Sequence, residues 1–186
     1  MDAAVRNRWD DDDGIGGADP DTALTGVGKT VPVGNDRDVA GVVAFPPLIY
    51  GAPLVGGLIV DRLLSSKRLP RPLQPLSIGF FAAAASLLVP ALREFRKAQT
   101  AIDPFEETTA LIQTGPFDYT RNPLYLALTM IYIGIALAAR ARFPLRLLPA
   151  ILWMINTGVI EREERYLERK FGQTYRDYRD RVPRWL

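Results

Sequence analysis

The stretch 39–60, VAGVVAFPPLIYGAPLVGGLIV, runs for 22 residues without a charged side chain and is closed by Asp61 and Arg62. A helix needs about 20 predominantly apolar residues to cross the hydrocarbon core of a bilayer. A second run, 75–92, PLSIGFFAAAASLLVPAL, gives 18 uncharged residues before Arg93 and Glu94. Two shorter runs follow, 124–139 and 147–160, the latter containing Asn156 and Thr157. Either short run alone would suit a buried helix of a soluble bundle, but two long charge-free runs stand ahead of them. The expectation is an all-α integral membrane helical bundle of about four transmembrane helices.

The averages hide this. The chain has 186 residues, is 48% apolar and carries a formal charge of +2, with a mean hydropathy of +0.01. Residues 1–38, however, hold nine Asp against Arg6, Arg8, Lys29 and Arg37, a net of −5, so residues 39–186 carry +7. The first part is rich in Gly and Asp and shows no apolar period of 2 or 3.6, so it buries too little to offset its ordering entropy. It is read as a disordered acidic tail, 1–38, without the apolar core and cleavage site of a secretory signal. Its Gly26-Val27-Gly28-Lys29-Thr30 ends like a phosphate-binding loop. It lacks the preceding strand, and Pro32 stands where the following helix should begin, so nucleotide binding is not expected there.

Pro46, Pro47 and Pro53 lie inside the first run, where they are expected to bend a helix whose freed carbonyls are satisfied by neighbours. Residues 82–86, AAAAS, give the second run a small-residue surface for close helix contact. With four spans, residues 1–38, 93–123 and 161–186 share one side and carry four, four and eight Lys and Arg; residues 61–74 and 140–146 carry four and three on the other. The positive-inside rule then places both termini and the middle loop in the cytoplasm, as a multi-pass protein of the cytoplasmic (inner) membrane.

The chain has no His and no Cys, which excludes disulfides, Cys/His zinc sites, thiolate nucleophiles and His-dependent triads. Chemistry must use carboxylates, Arg, Lys, Tyr, amides or a bound cofactor. Two constellations stand out. In Thr114-Gly-Pro-Phe-Asp-Tyr-Thr-Arg121-Asn122-Pro123-Leu-Tyr125, Gly115-Pro116 enforces a turn, Asn122 sits at an expected N-cap and Pro123 suits the first helical turn. After the fourth run, Ile160, Leu167, Phe171, Tyr175, Tyr178, Val182 and Trp185 recur at helical spacing, predicting one amphipathic cytoplasmic C-terminal helix. Glu164 falls on that stripe, where an inward carboxylate needs a partner or ligand. Glu164→Gln is therefore expected to leave the fold intact and lower activity.

A ligand suited to Arg, an amide, Tyr and paired carboxylates without His or metal is S-adenosylmethionine. It offers an ammonium and ribose hydroxyls to Glu and a carboxylate to Arg. Methyl transfer from its sulfonium depends on alignment and desolvation more than on acid or base groups.

The block Gly115-Pro-Phe-Asp-Tyr-Thr-Arg121-Asn122-Pro123-Leu-Tyr125, followed by an apolar hairpin and Glu163-Glu164-x-x-Leu167-x-x-x-Phe171-Gly172-x-x-Tyr175-x-x-Tyr178-x-x-x-Val182-Pro183, resembles the isoprenylcysteine carboxyl methyltransferase and phospholipid methyltransferase superfamily. The resemblance covers about residues 95–184 and implies a membrane methyltransferase domain over 39–186. It implies an S-adenosylmethionine pocket on the cytoplasmic side. There Asn122, Pro123, Leu124 and Tyr125 contact the cofactor, Glu163 binds it from the C-terminal helix, and Thr109, Ala110, Leu111, Ile112 and Phe117 complete the wall. Arg121 and Glu164 are assigned catalytic, substrate-side roles.

Members acting on prenylcysteine usually carry His at the place of Asn122 and Arg at the place of Val159, so the acceptor here is left as a lipophilic carboxyl, amine or thiol. The expected partners are that lipid or lipophilic substrate and membrane lipids, with no nucleic acid. The rival expectations are a sterol-reductase-like NADPH enzyme, with Arg93, Arg96 and Lys97 for the extra phosphate, and a non-catalytic membrane module.

Overall fold

A computed structural model of the chain describes residues 40–64, 68–103 and 105–186. The chain divides into two units, Met1–Asn35 and Asp36–Leu186, and every described residue belongs to the second. The acidic tail and its Gly-rich motif lie outside the described residues.

Helix α1 spans Pro46–Leu63, α2 Leu76–Ala98, α3 Pro123–Ala138, α4 Phe143–Ile155, α5 Glu161–Phe171 and α6 Gln173–Arg181, with single 3-10 turns at Arg71–Leu73 and Gly115–Asp118. No strand occurs among the described residues. Pro46 and Pro47 open α1 rather than bend it, because a first-turn proline sacrifices no intrahelical donor; only Pro53 lies within. The helix therefore begins well inside the uncharged run and ends through Asp61 and Arg62.

Two helical stretches, Arg71–Ala98 and Phe143–Phe171, are long and apolar enough to cross a membrane. Helix α3 is apolar but has 16 residues, about 24 Å at 1.5 Å per residue. Outward-facing Leu48, Val55, Ile78 and Trp153 are 57–71% exposed. Large apolar side chains on the outside of α1, α2 and α4 invert the pattern of a water-facing helix.

Helix α3 packs along α2, and α1 packs on α4 and α3. Gly134 on α3 accommodates the Phe81 ring, whose edge would lie 2.8 Å from a Cβ there. Of the small-residue surface expected on α2, Ala84 is the fully buried member. Tyr hydroxyls stitch the interior: Tyr50 bonds Thr129 Oγ1 at 2.9 Å and donates to the Tyr125 carbonyl at 3.3 Å, and Tyr132 donates to the Pro144 carbonyl at 2.8 Å. Such groups must find protein partners where water is absent.

Between α4 and α5 the chain widens into a π-helical turn, Asn156–Ile160. Thr157 Oγ1 donates back to the Trp153 carbonyl, and the Gly158 carbonyl accepts Val43 N–H at 3.3 Å. The expected single C-terminal helix is broken at Gly172, whose φ of +56° favours glycine. After α6 the backbone turns extended at Val182. The apolar stripe survives the break, with Ile160, Tyr175, Tyr178 and Val182 all buried.

Candidate functional site

The polar block before α3 folds as two linked turns. Gly115, at φ +68°, starts the 3-10 turn Gly115–Asp118, and Tyr119 N–H closes on the Pro116 carbonyl at 3.2 Å. Pro123 is in the first turn of α3 and Asn122 stands at its N-cap, but the Asn122 side chain makes no cap bond. Its Nδ2 donates instead to the Arg184 carbonyl at 3.0 Å, which Thr120 Oγ1 also reaches at 3.1 Å, while Arg121 N–H donates to the Pro183 carbonyl at 2.9 Å. The C-terminal segment is thus bonded residue by residue to the block.

Helix α5 brings the glutamate pair to the same place. Tyr125 donates its hydroxyl to Glu163 Oε1 at 2.6 Å. No Lys or Arg among the described residues forms an ion pair with Glu163. Glu164 faces away, to two guanidiniums. Arg121 Nη1 lies 2.8 Å from Oε1, and Arg184 grips both oxygens, Nε to Oε1 at 3.0 Å and Nη2 to Oε2 at 2.6 Å. The carboxylate that the stripe placed inward therefore has its partners.

Arg184 Nη1 donates to Asn156 Oδ1 at 3.0 Å, so the π turn anchors the same guanidinium. The hydrogen bonds to Glu164, more than the opposing burial, push the Arg184 guanidinium above its usual value. Arg121 Nη1 also donates to Tyr175 OH at 3.2 Å. Burial pushes the Tyr175 phenol up to about 12; Glu164 adds to this and Arg121 opposes it. Burial likewise raises Tyr178, whose hydroxyl donates to the Phe117 carbonyl at 2.8 Å and ties α6 to the 3-10 turn.

The Arg121 side chain is 10% exposed. Its Nε is the one buried side-chain nitrogen or oxygen without a hydrogen-bond partner among the described residues.

Glu163, Asn122, Arg121 and Tyr125 line one cleft of about 800 Å³, counting its open mouth, with walls from Leu111, Ile112, Phe117, Pro123 and Leu124. Ala110 lines it too. Thr109 does not: its N–H donates to Thr100 Oγ1 at 2.9 Å and its hydroxyl to the Gln99 carbonyl at 3.3 Å, pinning the loop to the end of α2. Glu164 is also outside the lining.

Sequence reasoning missed Phe95, Tyr166, Leu167 and Tyr178 as wall residues, along with the tail residue Arg184. Leu167 and Tyr178 were visible as members of the apolar stripe. Tyr166 was not, because it lies off that stripe, yet it is buried and lines the cleft. Arg93, Arg96 and Lys97, considered for a second phosphate, do not line the cleft, and Lys97 pairs with Glu94 at 2.7 Å.

An uncharacterized protein of Haemophilus influenzae is 58% identical to this chain over 33 residues, 18% of this chain and 52% of that protein. The chain thus spans about half the length of that curated relative. No solved structure matches. The phospholipid methyltransferase family matches over residues 74–174, from the turn before α2 into the start of α6. This stretch holds the 114–125 block, both glutamates and most of the cleft wall, and it is more than half of the 186 residues. On this match the chain belongs to the phospholipid methyltransferase family.

Proposed function

We propose that the protein transfers a methyl group from S-adenosylmethionine to a lipophilic acceptor, with the cleft holding the methyl donor. One observation carries the reading. The same cleft contains a carboxylate with no cationic partner among the described residues, Glu163, and a buried guanidinium with an N–H unpartnered among them, Arg121. An unmet buried charge and an unmet buried donor are costly alone and complementary to a zwitterion. The ammonium and carboxylate of an amino acid fit that pair, while Phe117, Leu124 and Tyr178 provide apolar and aromatic surface for a nucleoside.

When bound, the donor supplies a sulfonium whose S–CH₃ bond breaks as the acceptor's lone pair forms the new bond to carbon, leaving a neutral thioether. The protein's part is to bind, align and exclude water. Tyr125 fixes the Glu163 carboxylate, Asn122 is held by the tail, and Ala101, Ile102, Ala110 and Leu111 add apolar wall to the cleft. The acceptor is a lipophilic carboxyl, amine or thiol entering from the bilayer. Titrating the detergent-purified protein with S-adenosylmethionine tests the reading: heat of binding is expected, weakened at least about tenfold in Glu163→Gln. Absence of heat in the wild type would reject it.

The accompanying topology is a four-span bundle of the cytoplasmic membrane with both termini and the middle loop in the cytoplasm. It rests on the Lys and Arg asymmetry. The chain has no Cys, so Glu106→Cys and Asp180→Cys should react with an impermeant maleimide only after cells are opened. Arg68→Cys should react in intact spheroplasts.

A further inference from the structure

We propose that Arg184 is a positioning residue whose charge keeps Arg121 available to a ligand carboxylate. The inference rests on the assignment of the cleft to an amino-acid-bearing nucleoside. Glu164 carries one negative charge and stands between two guanidiniums. Arg184 takes both of its oxygens, at 3.0 and 2.6 Å, and Arg121 shares Oε1 through a single nitrogen at 2.8 Å.

With Glu161 also paired to Arg184 Nη1, the two guanidiniums and two carboxylates balance, and Arg184 is the cation that spares Arg121 from neutralising Glu164 alone. Arg121 lines the cleft, and its buried Nε–H has no partner among the described residues. Without Arg184, Glu164 would be left to Arg121 alone, and a carboxylate matched to one guanidinium cancels its charge at close range. Glu161, whose carboxylate lies 3.8 Å from Arg184 Nη1, would also lose its cation.

The Arg184 side chain ties α5 and the π turn together, but the docking of the tail backbone does not depend on it. The bonds that dock the tail, from Arg121 N–H to the Pro183 carbonyl and from Asn122 and Thr120 to the Arg184 carbonyl, use backbone acceptors. A side-chain substitution at Arg184 leaves those acceptors in place.

The test compares two nucleoside thioethers by calorimetry in detergent: S-adenosylhomocysteine, which bears the amino-acid carboxylate, and 5′-methylthioadenosine, which lacks it. Arg184→Ala is expected to weaken the first about tenfold and the second less than about twofold, with Arg184→Lys retaining most of the affinity. Arg184→Gln keeps a donor for Glu164 without the charge. It should reproduce the selective loss even if the alanine variant folds poorly. Equal weakening of both ligands, or no change in either, overturns the positioning role. Wild-type protein that binds neither nucleoside overturns the cleft assignment itself, and the role of Arg184 with it.

Discussion

Tyr125 donates its phenol to Glu163 Oε1 at 2.6 Å, joining the first turn of α3 to the first turn of α5. Glu164, one residue further, is turned to Arg121 and Arg184 instead. Successive helical residues point about 100° apart, so adjacent glutamates cannot share a face. One serves the cleft and the other clamps its neighbours.

Tyr125→Phe removes the only hydrogen bond that holds Glu163 in place among the described residues. Affinity for S-adenosylmethionine should fall several-fold, and less than in Glu163→Gln, because the carboxylate remains but is free to turn. Calorimetry on the two variants side by side checks the order.

Glu164→Gln breaks a clamp in which Arg121 is 10% and Arg184 31% exposed at the side chain. The sequence-based expectation of an undisturbed fold is thereby revised. Removing the shared carboxylate should cost about 2 kcal/mol, below the figure for a fully buried pair because Arg184 is partly solvated. Thermal unfolding in detergent measures it, and an unchanged midpoint would contradict the clamp.

A Cβ added at Gly57 would sit 3.0–3.1 Å from the ring and backbone of Pro144 at the contact of α1 with α4, whereas one at Gly56 meets nothing within 4 Å. Proline backbone cannot swing aside as a flexible side chain can. Gly57→Ala should destabilise by about 1–3 kcal/mol, while Gly56→Ala should be neutral or slightly stabilising through helix propensity. Paired thermal melts decide.

Alkaline pH should loosen the C-terminal helix. The Tyr175 phenol is raised from 10.0 to about 12 and Tyr178 is raised as well. Their contribution is complete below the unfolded value near pH 10 and is lost as pH rises towards 12. Tyrosinate absorbance and helicity should change together over that window. In Tyr175→Phe the loss of helicity should be shallower.

The site was partly legible in advance. The helical character followed from runs of uncharged residues, and the block 114–125 with the Glu163-Glu164 pair stood out by composition and spacing. Four features were hidden. The start of α1 depended on where Pro46 and Pro47 tolerate a helix. The π turn at Asn156–Ile160 and the break at Gly172 interrupt the helix without a signal in the apolar period, which runs through both. Arg184 lies 20 residues from Glu164 and 62 from Asn122, separations at which spacing says nothing about contact.

By itself, the sequence determined the helix class and the residue chemistry available without His or Cys. These follow from local composition and periodicity. Tertiary structure decided that Glu163 faces a cleft while Glu164 faces two arginines, that Asn122 bonds the tail instead of capping α3, and that one Arg121 N–H is left unmet. Those outcomes depend on which distant groups satisfy each buried charge and donor, a choice made only when the helices pack.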